Sequence, residues 1–487
     1  MTLRKIAIVA VGLPILAGFF ACNSSYEPNT MTASSAAVKT FSLTKDDSVL
    51  AHLDSVFFSI DLVKGLIFNA DSLPCGTKVT KLIPVITMLE TASKVELEVK
   101  RADGTDTTYN YLTNSTDSID FTNPVTLRVV SYDGLNEMKY TINVNVHKLV
   151  SDSLTWPKEY KSELPTALSA PTAQRTTLMN GTYYCLTAGG GEYCMASYVP
   201  DNAVTNAPAM NVGDWSKKSV TFAFTPQVES FTSTDDAMYI LDESGNLFTS
   251  ADGEAWTPTG RTWHAVYGRY GDQVLGSVET ADGWFVESYP SGAVNVLAEG
   301  MPVEGASMPV GFKFPMSASE QIVIVGGRMA NGKLTTAAWG YDGSSWIRLS
   351  KTSLPVALEG VAVAMYYSFK TSSSWNVTAY PTLIAFGGKD EKGVANQTVY
   401  ISSDFGYIWQ KGGSEIQLPT YIPAMWGAQT FVDDSYYSRD ILPMISKPTE
   451  TWECPYIYMF GGYDASGNLN NSLWRGVINR LSFAPVE

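Results

Sequence analysis

The sequence predicts an all-β chain, an N-terminal β-sandwich followed by a β-propeller of six blades, on three observations. Apolar or alternating runs at residues 94–101, 107–112, 125–130 and 138–146 have the period of strands with one buried face. A hydrophobic strand ending in Gly-Gly occurs three times, at residues 322–327 (IVIVGG), 383–388 (LIAFGG) and 457–462 (IYMFGG). Thirteen residues after the first glycine of each comes an aromatic: Trp339, Tyr400 and Trp474.

In chain order, residues 1–21 read as an export signal, with Arg4 and Lys5 ahead of an uncharged apolar run over residues 6–20. That run is too short to span a bilayer, which takes roughly 20 residues of helix. Phe19-Phe20-Ala21-Cys22 resembles the lipobox of bacterial lipoproteins; Ala21 matches the pattern, and Phe19 stands where Leu is usual. The resemblance implies cleavage before Cys22 and a lipid on its thiol, so that the membrane is the first expected partner. Residues 22–37, rich in Ser, Thr and Ala, read as a flexible tether.

About 465 residues remain after the signal, enough for two or three domains with cores of their own. The formal net charge of −15 becomes −17 once Arg4 and Lys5 are removed. Such a balance repels phosphate backbones, so no nucleic-acid partner is expected. Export makes disulfides permissible. In the segment 184–194 (YCLTAGGGEYC) a two-residue turn at Gly189-Gly190 would set Cys185 directly opposite Cys194, close enough for a bridge, a pairing that a slip in register would destroy. Cys75 and Cys454 read as buried free thiols.

Residues 38–148 form the expected sandwich, immunoglobulin-like or cadherin-like, with turn chemistry at Tyr132-Asp133-Gly134 before its last strand. Residues 149–487 form the propeller. After two of its three repeats come Trp346 and Trp409, each followed by Leu-Pro, at Leu354-Pro355 and Leu418-Pro419. Strand, glycine pair, polar loop, strand with an aromatic, turn, strand with Trp: this resembles the Kelch-type propeller blade, a four-stranded sheet. Earlier blades fall near residues 177–215, 230–256 and 264–296, which makes six, with seven as the competing count. Trp156, followed by Leu164-Pro165, repeats the Trp and Leu-Pro pattern ahead of the first blade. Residues 154–156 are therefore expected to supply the outer strand of the last blade, with residues 481–483 as the competing closure.

Few motifs carry chemistry. Residues 402–409 (SSDFGYIW) match the Asp box of sialidases, and residues 250–256 (SADGEAW) are a version one residue shorter. In those families the box stabilises an outer turn, and no Phe/Tyr-Arg-Ile-Pro motif accompanies it here, so the expected role is structural. Of His52, His147 and His264 only the last lies in the expected propeller, too few for a copper oxidase site; the same shortage argues against a histidine-rich zinc site and a Ser-His-Asp triad, and no catalytic, metal or cofactor residue is assigned. Long hairpins at residues 370–380 and 433–453 would bring Trp375, Tyr380, Tyr436, Tyr437 and Trp452 to one face, where rings suit sugars or protein partners. The competing reading folds these rings back over their own loops.

Taken with residues 55–61 (SVFFSID) and 67–74 (IFNADSLP), these features resemble a family of two-domain bacterial lipoproteins from Gram-negative gut anaerobes, a domain family of unknown function. The resemblance covers essentially the whole chain and implies an outer-membrane lipoprotein, facing either the periplasm or the cell surface. The function expected is a non-enzymatic binding or scaffold protein presenting its propeller to a glycan or protein. The alternative is a glycan-active hydrolase or lyase using channel carboxylates. A cluster of inward-facing Asp, Glu, Arg and Tyr at the channel mouth would favour the enzyme, and a capped or apolar channel would favour binding.

Overall fold

The computed structural model describes residues 34–479, apart from 71, 101–104, 149, 200–213, 314–319, 372–376 and 434–454. In Ala92–Val99 and Val125–Ser131 the alternate side chains Val95, Leu97 and Val99, and Val125, Leu127 and Val129, are buried, as a pleated strand with one inward face requires. Each buried Val or Leu contributes about 1.5–3 kcal/mol. The strands join a six-stranded sheet in the order Ser59–Asp61, Leu66–Phe68, Glu137–Asn143, Val125–Ser131, Ala92–Val99, Thr107–Asn110. Val38–Leu43 and Pro84–Met88 form a two-stranded sheet that shares the same core through Val38, Phe41, Leu43 and Ile86.

This division into six and two, with Leu66–Phe68 parallel to Glu137–Asn143, departs from an immunoglobulin-type pair of antiparallel sheets of similar size. The cause is local. Gly65 has a φ of 63°, and a Cβ there would lie 2.4 Å from the Lys139 carbonyl oxygen. Only glycine allows the hairpin to dock there, and Thr141 N–H then donates to the Gly65 carbonyl at 2.7 Å. Described residues ahead of 38 also pack on this domain: Ala36 is buried, and Asn136 Nδ2 donates to the Ser34 carbonyl at 2.8 Å. Cys75 is a free thiol but exposed rather than buried, because it follows Pro74 in a turn closed by Thr77 N–H to the Pro74 carbonyl.

From Ser153 onward the described residues form six four-stranded antiparallel sheets, numbered here as blades 1 to 6. Their first strands are Ala173–Met179, Pro226–Ser233, Ala265–Tyr270, Val310–Lys313, Glu359–Thr371 and Gln429–Asp433. First strands touch between blades 1 and 2, 2 and 3, 4 and 5, and 5 and 6, and Thr176 N–H on the first strand of blade 1 donates to Gln429 Oε1 on that of blade 6. Six apolar clusters fill the six gaps between blades. Leu186 and Met195 meet Phe231 and Ile240 between blades 1 and 2, and Tyr458, Phe460 and Leu473 of blade 6 meet Tyr183, Cys185 and Ala196 of blade 1. The ring is therefore closed. Trp339, Tyr400 and Trp474 sit on the third strands of blades 4 to 6, all buried in these gaps.

The outer strand of blade 6 is Ser153–Thr155, paired antiparallel to Leu473–Asn479. Asn479 Nδ2 donates to Ser153 Oγ and Thr155 Oγ1, each at 2.9 Å. Trp156 follows, buried over Gly476, where a Cβ would lie 2.8 Å from the indole. Residues 481–483 lie outside the described residues.

The Cys185–Cys194 bridge is not formed; both are free, fully buried thiols. The turn falls one residue later than expected, at Gly190-Gly191, so Cys194 pairs with Thr187 and Cys185 with Ala196. The two side chains share a face of the sheet on different rungs. Burial pushes the Cys185 thiol up to about 12, which makes it a packing group rather than a nucleophile.

Candidate functional site

Why the glycine pair recurs is clear from the gaps between blades. Gly326, Gly387 and Gly461 have φ of 67°, 62° and 60°. A Cβ on Gly326 would lie 2.3 Å from the Leu358 carbonyl oxygen, and one on Gly387 2.3 Å from that of Met425. Both carbonyls belong to the segment leading into the next blade. The second glycine completes the joint, with Gly327 N–H donating to Leu358 O at 2.8 Å and Gly388 N–H to Met425 O at 2.9 Å.

This joint carries a side chain with it. The residue after each pair, Arg328, Lys389 or Tyr463, is delivered beside the residue that precedes the glycine leading into a blade: Glu304 before Gly305, Glu359 before Gly360, Trp426 before Gly427. Gly360 N–H donates to Gly305 O at 2.8 Å and Gly427 N–H to Gly360 O at 2.7 Å, which keeps successive lead-in segments in step.

The result is a belt of polar and aromatic groups around the end of the ring where the first strands begin. His264 Nε2 lies 3.2 Å from Glu304 Oε2, and Arg328 Nε 3.9 Å from Glu304 Oε1. Arg328 also pairs with Glu359, whose Oε2 is 3.9 Å from Lys389 Nζ. Lys389 Nζ stands 3.6 Å from the centroid of the Trp426 ring, a cation–π contact. Trp426 meets Tyr463 with ring centroids 4.9 Å apart. The Tyr463 hydroxyl donates to Glu229 Oε1 at 2.9 Å, and Arg175 lies within electrostatic reach of both. Every blade contributes at least one of these groups.

Burial, followed by the charge of Glu229, pushes the Tyr463 hydroxyl up, which keeps it a proton donor. Burial pulls the Arg175 guanidinium below its ordinary range, with Glu229 and Tyr463 pulling the other way. Glu304 and Glu359 each already face cations, whereas a glycosidic general acid must hold a proton. The belt contains the Glu, Arg and Tyr that the enzymatic alternative expected, but with Glu304 and Glu359 held by cations it offers fixed donors and acceptors more readily than an acid and base. Among the described residues no group of three His, Cys, Asp or Glu is arranged to hold a metal.

Of the ligand surface expected from sequence, Trp375, Tyr436, Tyr437 and Trp452 lie outside the described residues, as does Cys22. Tyr380 is on the long second strand of blade 5, Val377–Lys389, partly buried and paired with Ser368. It lies toward the opposite end of that strand from Lys389, roughly 30 Å away along an extended chain, so it does not share the belt. Both Asp boxes are turns between third and fourth strands. Asp404 Oδ1 accepts from Ser402 Oγ and Ile408 N–H at 2.8 and 2.9 Å. Asp252 Oδ1 accepts from Glu254 and Ala255 N–H at 2.8 and 3.0 Å. The indoles of Trp409 and Trp256 close the turns on Gly406 O and Gly253 O.

Sequence reasoning used the glycine pairs for the fold but passed over the residue after each. The signal was present: Glu304-Gly305, Glu359-Gly360 and Trp426-Gly427 recur, as do Arg328, Lys389 and Tyr463 after the pairs. Arg175 and Glu229 carry no such signal.

Residues 150–486 match the family model described as the DUF6242 beta propeller domain, and residues 30–144 match the DUF6242 N-terminal domain, a domain of unknown function. No curated protein matches the chain. Among solved structures, YjhT is similar at 13% identity, over 64% of this chain and 97% of that one, with a TM-score of 0.40. BamB from Moraxella catarrhalis is 11% identical over 66% of this chain and 97% of its own, with a TM-score of 0.28. An α-L-arabinanase from Penicillium chrysogenum, solved with arabinobiose, is 11% identical over 67% of this chain and 96% of its own, with a TM-score of 0.31. Likeness at this level carries no argument about ligand or activity.

Proposed function

This chain belongs to the DUF6242 family, and we propose that it is a non-enzymatic binding protein whose propeller recognises a glycan at the channel mouth. The observation that carries this reading is the belt from His264 to Glu229, in which Glu304 and Glu359 are flanked by cations. Fixed, already paired donors and acceptors suit the hydroxyls of a sugar, and ligand sites are commonly built from a few such groups held by a rigid frame. We read the blades as Kelch-type and Cys22 as the lipid anchor to the outer membrane, with the N-terminal domain as a stalk. The enzymatic alternative rests on Glu229, an exposed belt carboxylate with no cation within ion-pair distance among the described residues.

The test is a glycan array and polysaccharide pull-down with residues 34–487, with product analysis on every hit. Saturable binding without products, weakened at least tenfold by Glu359→Gln combined with Lys389→Ala, is the expected result. Bond cleavage that disappears in Glu229→Gln would replace this reading with the enzymatic one.

A further inference from the structure

We propose that Arg175 forms an anion subsite within this mouth, which takes the carboxylate of a small hydroxyl-bearing acid. The inference rests on reading the mouth as a binding site and names the chemistry of what enters it.

Arg175 is the third residue of the first strand of blade 1, Ala173–Met179, and its residue is mostly covered. Its Nε is buried and has no hydrogen-bond partner among the described residues. No carboxylate there lies within ion-pair distance of the guanidinium, although Glu229 on the first strand of blade 2 is close enough to act on it electrostatically. Glu229 is instead engaged by Tyr463, which reaches it from blade 6 at 2.9 Å. Three blades thus converge on a guanidinium that stays charged at any physiological pH and that has no carboxylate in ion-pair contact among the described residues.

Leaving a covered charge unpaired is costly, and a protein that needed only stability would do better with an uncharged side chain. A ligand anion resolves the cost. The planar fork of Arg matches a carboxylate with two parallel hydrogen bonds. A doubly charged phosphate suits the place less well, because Glu229 stands beside it and the mature chain carries a large negative charge. Glu229 accepts from Tyr463 through Oε1, which leaves Oε2 able to accept from a ligand hydroxyl next to its carboxylate. Acidic sugars and free hydroxy acids share this chemistry.

The experiment is calorimetric titration of residues 34–487 with galacturonate, galactose, lactate and sulfate, repeated on Arg175→Gln and Arg175→Lys, with thermal unfolding of each variant. We expect galacturonate to bind more tightly than galactose, and Arg175→Gln to weaken it by about tenfold to a hundredfold, as loss of a charge-assisted contact does. Arg175→Lys should recover only part of that loss. The unliganded Arg175→Gln protein should be as stable as the wild type or more so, which a merely structural arginine would not allow. Lactate binding with the same dependence on Arg175 supports the proposal with a free hydroxy acid as the source. Equal binding of galactose and galacturonate, sulfate binding that matches galacturonate, or no carboxylate binding at all overturns it. If glycan-array binding persists in that case, the belt reading survives and only the anion subsite falls. A clear loss of stability in Arg175→Gln without change in binding also overturns it.

Discussion

Blades 4 to 6 and blades 1 to 3 build the same ring in different ways. In the later half, the loops joining second and third strands run from the glycine pair across some ten residues and lay Arg328, Lys389 and Tyr463 over the mouth. In the earlier half these connections are tight turns, with Gly189 paired to Glu192, Leu241 to Leu247 and Thr280 to Gly283. There the mouth is served by residues at or near the first strands themselves, Arg175, Glu229 and His264. Among the described residues, loop-borne side chains from blades 4 to 6 and strand-borne side chains from blades 1 to 3 thus make up the mouth.

The largest expected effect tests what the two halves share. Trp156→Ala removes the buried indole behind the closing strand and should cost about 3–5 kcal/mol in urea unfolding. If it costs less than about 1 kcal/mol, closure by Ser153–Thr155 contributes little and the halves are held by the gap clusters alone. Next, Gly387→Ala should cost about 3 kcal/mol, from positive φ plus a Cβ driven against the Met425 carbonyl. Gly190→Ala has a φ of 61° but nothing within 4 Å of its Cβ, and should cost only about 1–2 kcal/mol. Equal costs would break the distinction between glycines that dock blades and glycines that merely turn the chain.

Asp404→Ala and Asp252→Ala should each cost about 1–2 kcal/mol, because the same hydrogen-bonded turn occurs in both halves. Matching losses would confine the asymmetry to the mouth; a loss in only one would extend it to the rim. The smallest effect sets the ring against the N-terminal domain. Burial lowers His147 to about 4, below its ordinary value of 6.5, so the neutral form is the folded one. The stability it contributes is present above about pH 6.5 and is lost as pH falls toward 4, since the unfolded chain then takes up the proton first. His147→Gln should flatten that part of the pH dependence of unfolding, measured between pH 7 and 4.5.

Legibility followed the same division. Trp339, Tyr400 and Trp474 could be placed in third strands because packing between blades repeats, and repetition leaves a spacing that can be counted. The outer strand just ahead of Trp156 was readable for the same reason, since Trp156 is the third member of a Trp and Leu-Pro series with Trp346 and Trp409. The Cys185–Cys194 pair was misread by one residue in a run of three glycines, where Gly189-Gly190 and Gly190-Gly191 are equally able to turn. Arg175 and Glu229 were not readable at all, since they belong to no repeat and come together only when blade 2 packs on blade 1, with Tyr463 added from blade 6.

Local patterning by itself determined the all-β character, the order of the two domains and the closure of the ring, because strand period, glycine joints and interblade aromatics are short-range requirements written into adjacent residues. Only the tertiary structure decided which polar side chains meet at the mouth. Those contacts cross from blade to blade, and the one between Tyr463 and Glu229 joins residues 234 positions apart, so their pairing depends on the ring angle at which each blade stands, which no local spacing encodes.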